Sequence, residues 1–282
     1  MARIWIEAAL NGPWGRERQP LIPVSVDEIV ADGIAVAQSG AAIVHVHAYD
    51  EQTGRQNDDW QTYARIIEGI RARVDVIVYP TIPLASASGR FAHVEELARR
   101  GLIEWTVLDP GTVGFTRFDN LRDPNRSFTY ENPLADILDG MRVAHEYHLH
   151  PGFAIYEPGF TRVGAALAAE MDVPQPIYRF MFSDEFAWGF PPRSYYLDAH
   201  RELVQEVAPG APWMIAGLGV DVRPLIAYAV AHGGHVRAGL EDAPWHSERS
   251  NRDLVNDAIA LVRAAGEEPA TSADVRLSLR SA

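Results

Sequence analysis

Residues 25–47 read Ser-Val-Asp-Glu-Ile-Val-Ala-Asp-Gly-Ile-Ala-Val-Ala-Gln-Ser-Gly-Ala-Ala-Ile-Val-His-Val-His. This stretch contains one complete helix followed by one strand. Ser25 to Glu28 form a capping-box pattern, which predicts the start of a helix. An amphipathic segment follows over residues 26–38, and Gly40 stands where that helix should end. The short apolar run over residues 42–47 then predicts a buried strand.

The same alternation repeats along the whole chain. Short apolar runs occupy eight segments: residues 4–10, 42–47, 74–79, 103–108, 152–156, 178–182, 213–218 and 235–240. Amphipathic segments follow them at residues 26–38, 59–73, 93–100, 133–148, 161–171, 194–207, 222–232 and 251–264. Eight β–α units predict an α/β fold, a (β/α)8 TIM barrel. The alternative is an open doubly wound sheet, but residues 11–15, Asn-Gly-Pro-Trp-Gly, lack its nucleotide-binding fingerprint.

Length and composition exclude several classes of protein. No linker divides the 282 residues, so we expect a single barrel domain over residues 1–282 with a short helical tail from about residue 266 to 282. The formal charge is −13, which disfavours nucleic acid and anionic membranes as partners. The chain has no cysteine, so any metal ion falls to histidines and carboxylates. It has no apolar segment of membrane-spanning or signal-peptide type, and we expect a cytoplasmic protein.

Two histidines mark the end of the second predicted strand. His45 and His47 are two residues apart, so their side chains leave the same face of an extended chain, about 6.5 Å apart at the backbone. Val44 and Val46 then face the helices, and the histidines face the barrel interior near its carboxyl end, where barrel active sites lie. Burying two imidazoles costs hydration unless something binds them. A shared metal ion is therefore favoured over purely structural burial.

A second polar motif forms the eighth predicted strand. Residues 233–242 read Gly-Gly-His-Val-Arg-Ala-Gly-Leu-Glu-Asp. Alternation places four of them on the inward face: His235, Arg237, Gly239 and Glu241. Even-numbered strands supply the same layers of a barrel, so Glu241 is expected to approach His45 and His47. Three such ligands with an open position are typical of a catalytic metal site; zinc is favoured, with manganese, iron and cobalt as alternatives.

Arg237 and Asp242 lie beside this predicted cluster. On their own they would be interpreted equally well as an ordinary ion pair at the end of a strand. Beside a metal site, a guanidinium that stays protonated is suited to hold a substrate carboxylate or an oxyanion. Asp242 would then orient Arg237 or accept a proton.

The sequence resembles the β-keto acid cleavage enzymes over nearly its whole length. The resemblance rests on four motifs: Ala-Ala-Leu-Asn-Gly at residues 8–12, Gly-Ala-Ala-Ile-Val-His-Val-His at 40–47, Asp-Pro-Gly-Thr at 109–112, and the motif at 233–242. The resemblance implies a zinc-bearing barrel that takes a β-keto acid and acetyl-CoA and returns acetoacetate plus a new acyl-CoA. It also implies a homo-oligomer, with a tetramer expected.

The resemblance carries roles to individual positions. The metal ligands of the family match His45, His47 and Glu241. Its working arginine and aspartate match Arg237 and Asp242, and a substrate-contacting threonine after the fourth strand matches Thr112. We also expect substrate contacts at Asn11, Trp14 and Thr81. No residue is assigned to the coenzyme.

Several positions depart from the family pattern. Trp14 stands near the place where some relatives carry a glutamate for a substrate ammonium group, so an amino-substituted substrate is disfavoured. Residues 79–83, Tyr-Pro-Thr-Ile-Pro, replace a serine by Pro80 and keep Thr81 as a polar contact. Residues 150–157 lack a glutamate that relatives place on the fifth strand. Residues 182–192 replace a glycine-rich loop by an aromatic segment, either a lid over the substrate or an interface.

Two further points stay open at this level. Glu7 should point into the barrel, either as a base or partner of a ligand histidine, or in an ion pair with an arginine such as Arg3. Two alternatives to the acetyl-CoA reaction also remain. One is a metal-dependent aldolase or lyase that needs no CoA. The other is a non-catalytic barrel that binds a metal or ligand.

Overall fold

A computed structural model describes residues 3–280 of the chain; the residues at either end, 1–2 and 281–282, lie outside it. Eight parallel strands form one sheet, numbered here from first to eighth along the chain. They are Ile6–Ala9, Ile43–Val46, Ile77–Pro80, Trp105–Val107, His150–Ile155, Ile177–Phe182, Trp213–Gly217 and His235–Ala238. Hydrogen bonds connect them in the order third, second, first, eighth, seventh, sixth, fifth, fourth. The predicted barrel is confirmed, and all eight predicted strands are present.

The sheet curves into a nearly closed barrel, with one pair of neighbouring strands in the described chain not joined by a hydrogen-bond ladder. Within residues 3–280, no ladder of backbone hydrogen bonds pairs the third strand with the fourth. These two strands still lie side by side, and the Tyr79 and Trp105 rings meet across the gap with centroids 5.8 Å apart. Side-chain packing therefore completes the barrel at this seam.

One helix follows each of the eight strands, and a ninth lies at the carboxyl end of the described chain. They are α1 Val26–Ser39, α2 Trp60–Arg71, α3 Ala92–Arg99, α4 Leu134–Glu146, α5 Pro158–Glu170, α6 Ser194–Val207, α7 Ile226–Ala231, α8 Asn251–Ala264 and α9 Ser272–Arg280. The last lies in the segment predicted as a tail, whose final two residues fall outside the described part. None of these helices is both long and apolar enough to cross a membrane, within the described chain.

Local chemistry fixes the ends of α1 as the sequence predicts. Ser25 Oγ accepts a hydrogen bond from Glu28 N at 3.2 Å, and Glu28 Oε2 accepts one from Ser25 N at 3.0 Å. These two bonds satisfy backbone donors that the first helical turn leaves free. At the other end, Gly40 adopts φ 120° and closes the helix. Gly40 sets where the second strand can begin, because only residues 40–42 separate helix and strand.

Shorter elements surround the carboxyl end of the barrel. The hairpin of Tyr49–Asp50 and Arg55–Gln56 follows the second strand. A second antiparallel pair, Val113–Phe115 with Phe128–Tyr130, follows the fourth. At the opposite end, Arg3–Ile4 pairs with Glu268–Pro269 next to α9. The two hairpins extend the walls of the barrel mouth.

Gly239 makes the turn that leads the chain from the eighth strand to Glu241. Its φ is 150°, and a Cβ added there would lie 2.0 Å from Ala9 O. Asp242 N and Ala243 N both donate to Gly239 O, at 3.2 and 3.0 Å. Only glycine lets the turn pass this close to the first strand.

We predict that Gly239→Ala lowers the free energy of unfolding by more than about 3 kcal/mol, because the methyl group overlaps backbone atoms that cannot move aside. Urea unfolding followed by circular dichroism measures the change. Gly159→Ala is the matched control, since Gly159 has open space around it and should change stability by less than about 1 kcal/mol. Equal stability of the two variants would contradict the steric role of Gly239.

Candidate metal centre and active site

Three ligand-type side chains meet at the carboxyl end of the barrel. His45 lies in the second strand, His47 follows it directly, and Glu241 follows the eighth strand. His45 Nε2 and His47 Nε2 are 3.2 Å apart. Glu241 Oε2 lies 3.6 Å from His45 Nε2, and Glu241 Oε1 lies 3.6 Å from His47 Nε2. The structure therefore brings the three predicted metal ligands together.

The spacing of these atoms fits a divalent metal ion. Tetrahedral bonds of about 2.0–2.2 Å place ligand atoms roughly 3.3–3.6 Å from one another. The carboxylate oxygen Glu241 Oε2 is buried without a hydrogen-bond partner among the described residues. Burial lowers the pKa of His45 well below its usual value, so its ring is neutral and able to ligate. Burial would raise the pKa of Glu241, but Arg237 and the two histidines hold it well below its usual value.

Neighbouring amides orient His47. Asn11 is buried; its Nδ2 donates to His47 O at 2.9 Å and its Oδ1 accepts from His47 N at 2.9 Å. Gln56 Oε1 lies 3.0 Å from His47 Nδ1, and Gln56 Nε2 donates to Asp58 Oδ1 at 2.9 Å. Gln56 Oε1 can only accept a hydrogen bond, so His47 carries its proton on Nδ1. Its unprotonated Nε2 faces His45 and Glu241.

These two amides have hydrogen-bond partners that the sequence does not predict. Asn11 is predicted to contact substrate, whereas the structure shows it bonded to the backbone of His47 and to Pro23 O at 3.0 Å. It is not among the described residues that line the cavity above the cluster. Its contact with substrate stays a prediction. No sequence pattern points to Gln56, because it lies in a two-residue strand that carries no apolar alternation.

Arg237 is surrounded by carboxylates. Its Nε and Nη2 bind Asp242 in a two-pronged pair at 3.0 and 2.8 Å, and Nη2 also lies 2.7 Å from Glu241 Oε1. Burial raises the pKa of Asp242 to about 6, and the charge of Arg237 opposes that rise. Asp242 therefore orients Arg237 and also has a pKa at which a carboxylate accepts a proton efficiently near neutrality.

Glu7 lies on the floor of the site between two arginines. Its Oε1 is 3.4 Å from Arg179 Nη1 and 3.4 Å from Arg237 Nη1, and Tyr79 Oη donates to it at 2.7 Å. Glu7 therefore forms an ion pair, one of the two predicted alternatives. Its partner is not Arg3, which lies 3.6 Å from Asp274 at the other end of the barrel.

Trp14 and Thr81 line the cavity above the cluster, where the sequence predicts substrate contacts. Trp14 Nε1 donates to Glu241 O at 3.2 Å, and the Trp14 ring meets Trp245 edge-on with centroids 5.3 Å apart. Thr81 is buried, and its carbonyl oxygen accepts from His93 Nε2 at 2.8 Å. The protein itself therefore holds the Trp14 side chain and the Thr81 backbone in place.

Thr112 lies outside this cavity lining, within the described chain. It is exposed, and its hydroxyl accepts a hydrogen bond from Asn132 N at 2.8 Å. A substrate contact by Thr112 stays a prediction. Asp109, three residues earlier, does line the cavity; it accepts from Tyr130 Oη and from Ala154 N, each at 2.8 Å.

The aromatic segment at residues 182–192 packs against its own chain. Phe186 and Trp188 are buried and stack with centroids 5.8 Å apart. Phe186 lies 5.3 Å from Phe115, and Trp188 lies 5.0 Å from Tyr156, between ring centroids. Residues of the same chain therefore bury these two rings without a neighbouring subunit. The rings in turn support residues of the cavity wall from behind.

Fold and site together define a β/α barrel with a histidine–carboxylate cluster at its mouth. The model of the family described as beta-keto acid cleavage enzyme matches residues 3–280. The chain belongs to this family.

Relatives match over nearly the whole chain at low identity. The 3-keto-5-aminohexanoate cleavage enzyme of Fusobacterium nucleatum subsp. nucleatum is 26% identical, covering 99% of both chains. The 3-oxoadipate:acetyl-CoA acetyltransferase of Cupriavidus necator is 29% identical, covering 97% of this chain and 93% of its own. The 3-dehydrocarnitine:acetyl-CoA trimethylamine transferase of Rhizobium meliloti is 26% identical, covering 92% and 90%. The chain is thus a divergent member of the family.

A solved structure supports the fold. A ternary complex of ObcA with C4-CoA adduct and oxalate matches with a TM-score of 0.75 and 15% sequence identity, covering 92% of this chain and 67% of the other. At this identity the likeness concerns the barrel alone.

We predict that His47→Ala loses stoichiometric zinc, because two ligands cannot hold the ion as tightly as three. Metal content after dialysis, measured by inductively coupled plasma mass spectrometry, tests this. The control is His150→Gln, since His150 is a partly buried histidine whose ring bonds Gln175 O outside the cluster. Full zinc retention by His47→Ala would rule out its assignment as a ligand.

Proposed function

We propose that this protein is a zinc-dependent enzyme that condenses a β-keto acid with acetyl-CoA and yields acetoacetate and a new acyl-CoA. The observation that carries the proposal is the cluster of His45, His47 and Glu241 beside Arg237 and Asp242, in a chain of the β-keto acid cleavage family. Relatives named for transfer between keto acids and acetyl-CoA support the choice of co-substrate.

Each polar group at the cluster has a separate role in this proposal. His45, His47 and Glu241 would hold a divalent ion, which when bound would supply Lewis acidity to stabilise enolate charge on the keto acid. Arg237 fixes Glu241 through its 2.7 Å contact and presents a permanent positive charge to the developing anion. Asp242 accepts the proton from C2 of the keto acid. Trp14 and Thr81 contact the substrate from the wall of the cavity.

The reaction balances without water. C2 of the keto acid loses a proton to Asp242 and attacks the acetyl carbonyl, which releases the CoA thiolate. The thiolate then adds to C3, and the C2–C3 bond breaks with its electron pair on C2. Asp242 returns the proton to C2, which gives acetoacetate, while the remaining acyl group leaves as its CoA thioester.

The fifth strand explains why Asp242 is the favoured base. The family resemblance leads us to expect a glutamate on this strand, but residues 150–155 carry no carboxylate, and Gly152 lies beside Arg179. A Cβ at Gly152 would lie 3.1 Å from Arg179 Nη2, so Arg179 fills the adjoining space. Glu157, further along the chain, accepts a hydrogen bond from Gly189 N at 3.2 Å and so holds the loop that follows the sixth strand.

The decisive experiment incubates zinc-loaded protein with acetyl-CoA and a panel of β-keto acids, and identifies CoA thioesters by mass spectrometry. We expect a new acyl-CoA and an equal amount of acetoacetate. Chelation of the metal with EDTA should abolish both products, and added zinc should restore them. Protein heated beyond unfolding is the control for uncatalysed exchange.

Other outcomes separate the alternatives. Cleavage of a keto acid without any change in acetyl-CoA would identify a CoA-independent aldolase or lyase. Metal binding with no conversion of any keto acid would identify a non-catalytic barrel. Either result would overturn the proposed reaction.

Arg237→Lys should lower kcat by about 100-fold or more while zinc content stays near one per chain. Lysine keeps the charge but loses the two-pronged contact with Asp242. Steady-state kinetics and metal analysis of the same sample measure the two effects. Arg223→Lys serves as the control, because Arg223 bridges Asp221 and Asp257 away from the cluster. Unchanged kinetics in Arg237→Lys would remove Arg237 from the active site.

A further inference from the structure

We propose that the β-keto acid of this enzyme carries an uncharged, hydrocarbon side chain on C3. This inference rests on the proposed function, because it concerns the substrate that enters the cavity above the cluster. It separates this chain from relatives whose names specify an aminated, a trimethylammonium-bearing or a dicarboxylic substrate.

Part of the cavity lining is apolar and is called the apolar wall here. Side chains from the loops and strand ends around the mouth form it: Ile82, Leu84, Phe115, Phe128, Met181 and Leu218. A hydrocarbon group leaving water for such a wall gains free energy in proportion to the apolar area it buries. The wall therefore selects for a side chain without polar atoms.

The aromatic part of the wall is supported from behind, so it cannot turn aside to expose polar groups. Phe115 is 4% exposed. Its ring stacks on Phe128 with centroids 4.9 Å apart and meets Phe186 at 5.3 Å. Trp188 stacks on Phe186 and completes this group of aromatic rings. This segment at residues 182–192 thereby gains a role, which is to hold the apolar wall rigid.

The charged groups near the wall already have partners within the protein. Asp109 accepts two hydrogen bonds at 2.8 Å, from Tyr130 Oη and Ala154 N, and it is the carboxylate that a substrate ammonium group would need. Burial raises the pKa of Asp109, which further weakens it as a partner for a cation.

The arginines offer little to a second carboxylate. Arg237 is bound by Asp242 and Glu241, while Arg179 gives Nη1 to Glu7 and Nη2 to Gly152 O at 2.7 Å. Arg179 Nε is buried without a hydrogen-bond partner among the described residues, as is Nη2 of Arg90, which is not among the described residues that line the cavity. Arg179 does line the cavity, but its charge is already paired with Glu7. A charged side chain entering the cavity therefore loses its hydration and meets no guanidinium whose charge is unpaired.

The test uses pairs of substrates that match in shape and differ in charge. 6-Methyl-3-oxoheptanoate matches 3-oxoadipate, with two methyl groups in place of the second carboxylate oxygens. 5-Methyl-3-oxohexanoate matches 5-amino-3-oxohexanoate. With zinc-loaded protein and acetyl-CoA, we expect kcat/KM to favour each hydrocarbon member by at least about 100-fold.

Calorimetric binding of the same acids to the zinc-loaded protein without acetyl-CoA separates the two proposals. Preference for the hydrocarbon members in binding, with no turnover of any acid, would support this inference and contradict the proposed function. Turnover with 3-oxoadipate preferred would support the proposed function and overturn this inference, with Arg179 as the group that takes the second carboxylate. Absence of both binding and turnover would overturn both.

A variant with an added cation tests the wall directly. Leu84 lines the cavity and is 41% exposed, so Leu84→Arg should fold. We expect the ratio of kcat/KM for 3-oxoadipate over its methyl analogue to rise about tenfold. Leu134→Arg is the control, because Leu134 is exposed on α4 outside the cavity lining. An unchanged ratio in Leu84→Arg would place the substrate side chain elsewhere and overturn the inference.

Discussion

The carboxylate of Glu7, buried between Arg179 and Arg237, is the contact on which the geometry of the site depends. Two guanidinium groups inside a barrel repel each other and lose hydration, so each needs a negative partner. Glu7 serves both at 3.4 Å and also accepts the hydroxyl of Tyr79. These four side chains come from the first, third, sixth and eighth strands. Glu7 holds Arg237 in position, and Arg237 in turn holds Glu241 and Asp242.

Barrel geometry converts this floor into a site. The second and eighth strands flank the first, and residues following both reach the same end of the sheet. His45, His47 and Glu241 therefore converge although about two thirds of the chain lies between the histidines and the glutamate. Asn11, which follows the first strand, bonds the backbone of His47 and so ties the neighbouring strand ends together. Rigid strands hold the charged groups, while loops supply much of the cavity lining.

Comparison with the relatives separates two parts of the molecule. The cluster with Arg237 and Asp242 lies in the motifs at residues 40–47 and 233–242, on which the family resemblance rests. The wall and its support come largely from loop residues that the motifs of the resemblance do not cover, among them Trp14 and the aromatic segment at residues 182–192. On the fifth strand, Arg179 fills the space beside Gly152. Such a division is expected where one barrel serves several substrates, because strand ends hold the reaction chemistry and loops select the side chain.

The sequence by itself determined the periodic elements and the two histidines of the candidate metal site, because both depend on local spacing. Alternation along a strand sends His45 and His47 to one face whatever surrounds them. Ion-pair partners and the cavity wall were decided only by the tertiary structure. The barrel places Glu7 beside Arg179 rather than Arg3, and it brings Asp109 and Gln56 to the site. Those contacts join residues far apart in the chain, and no local pattern encodes which strands and loops become neighbours.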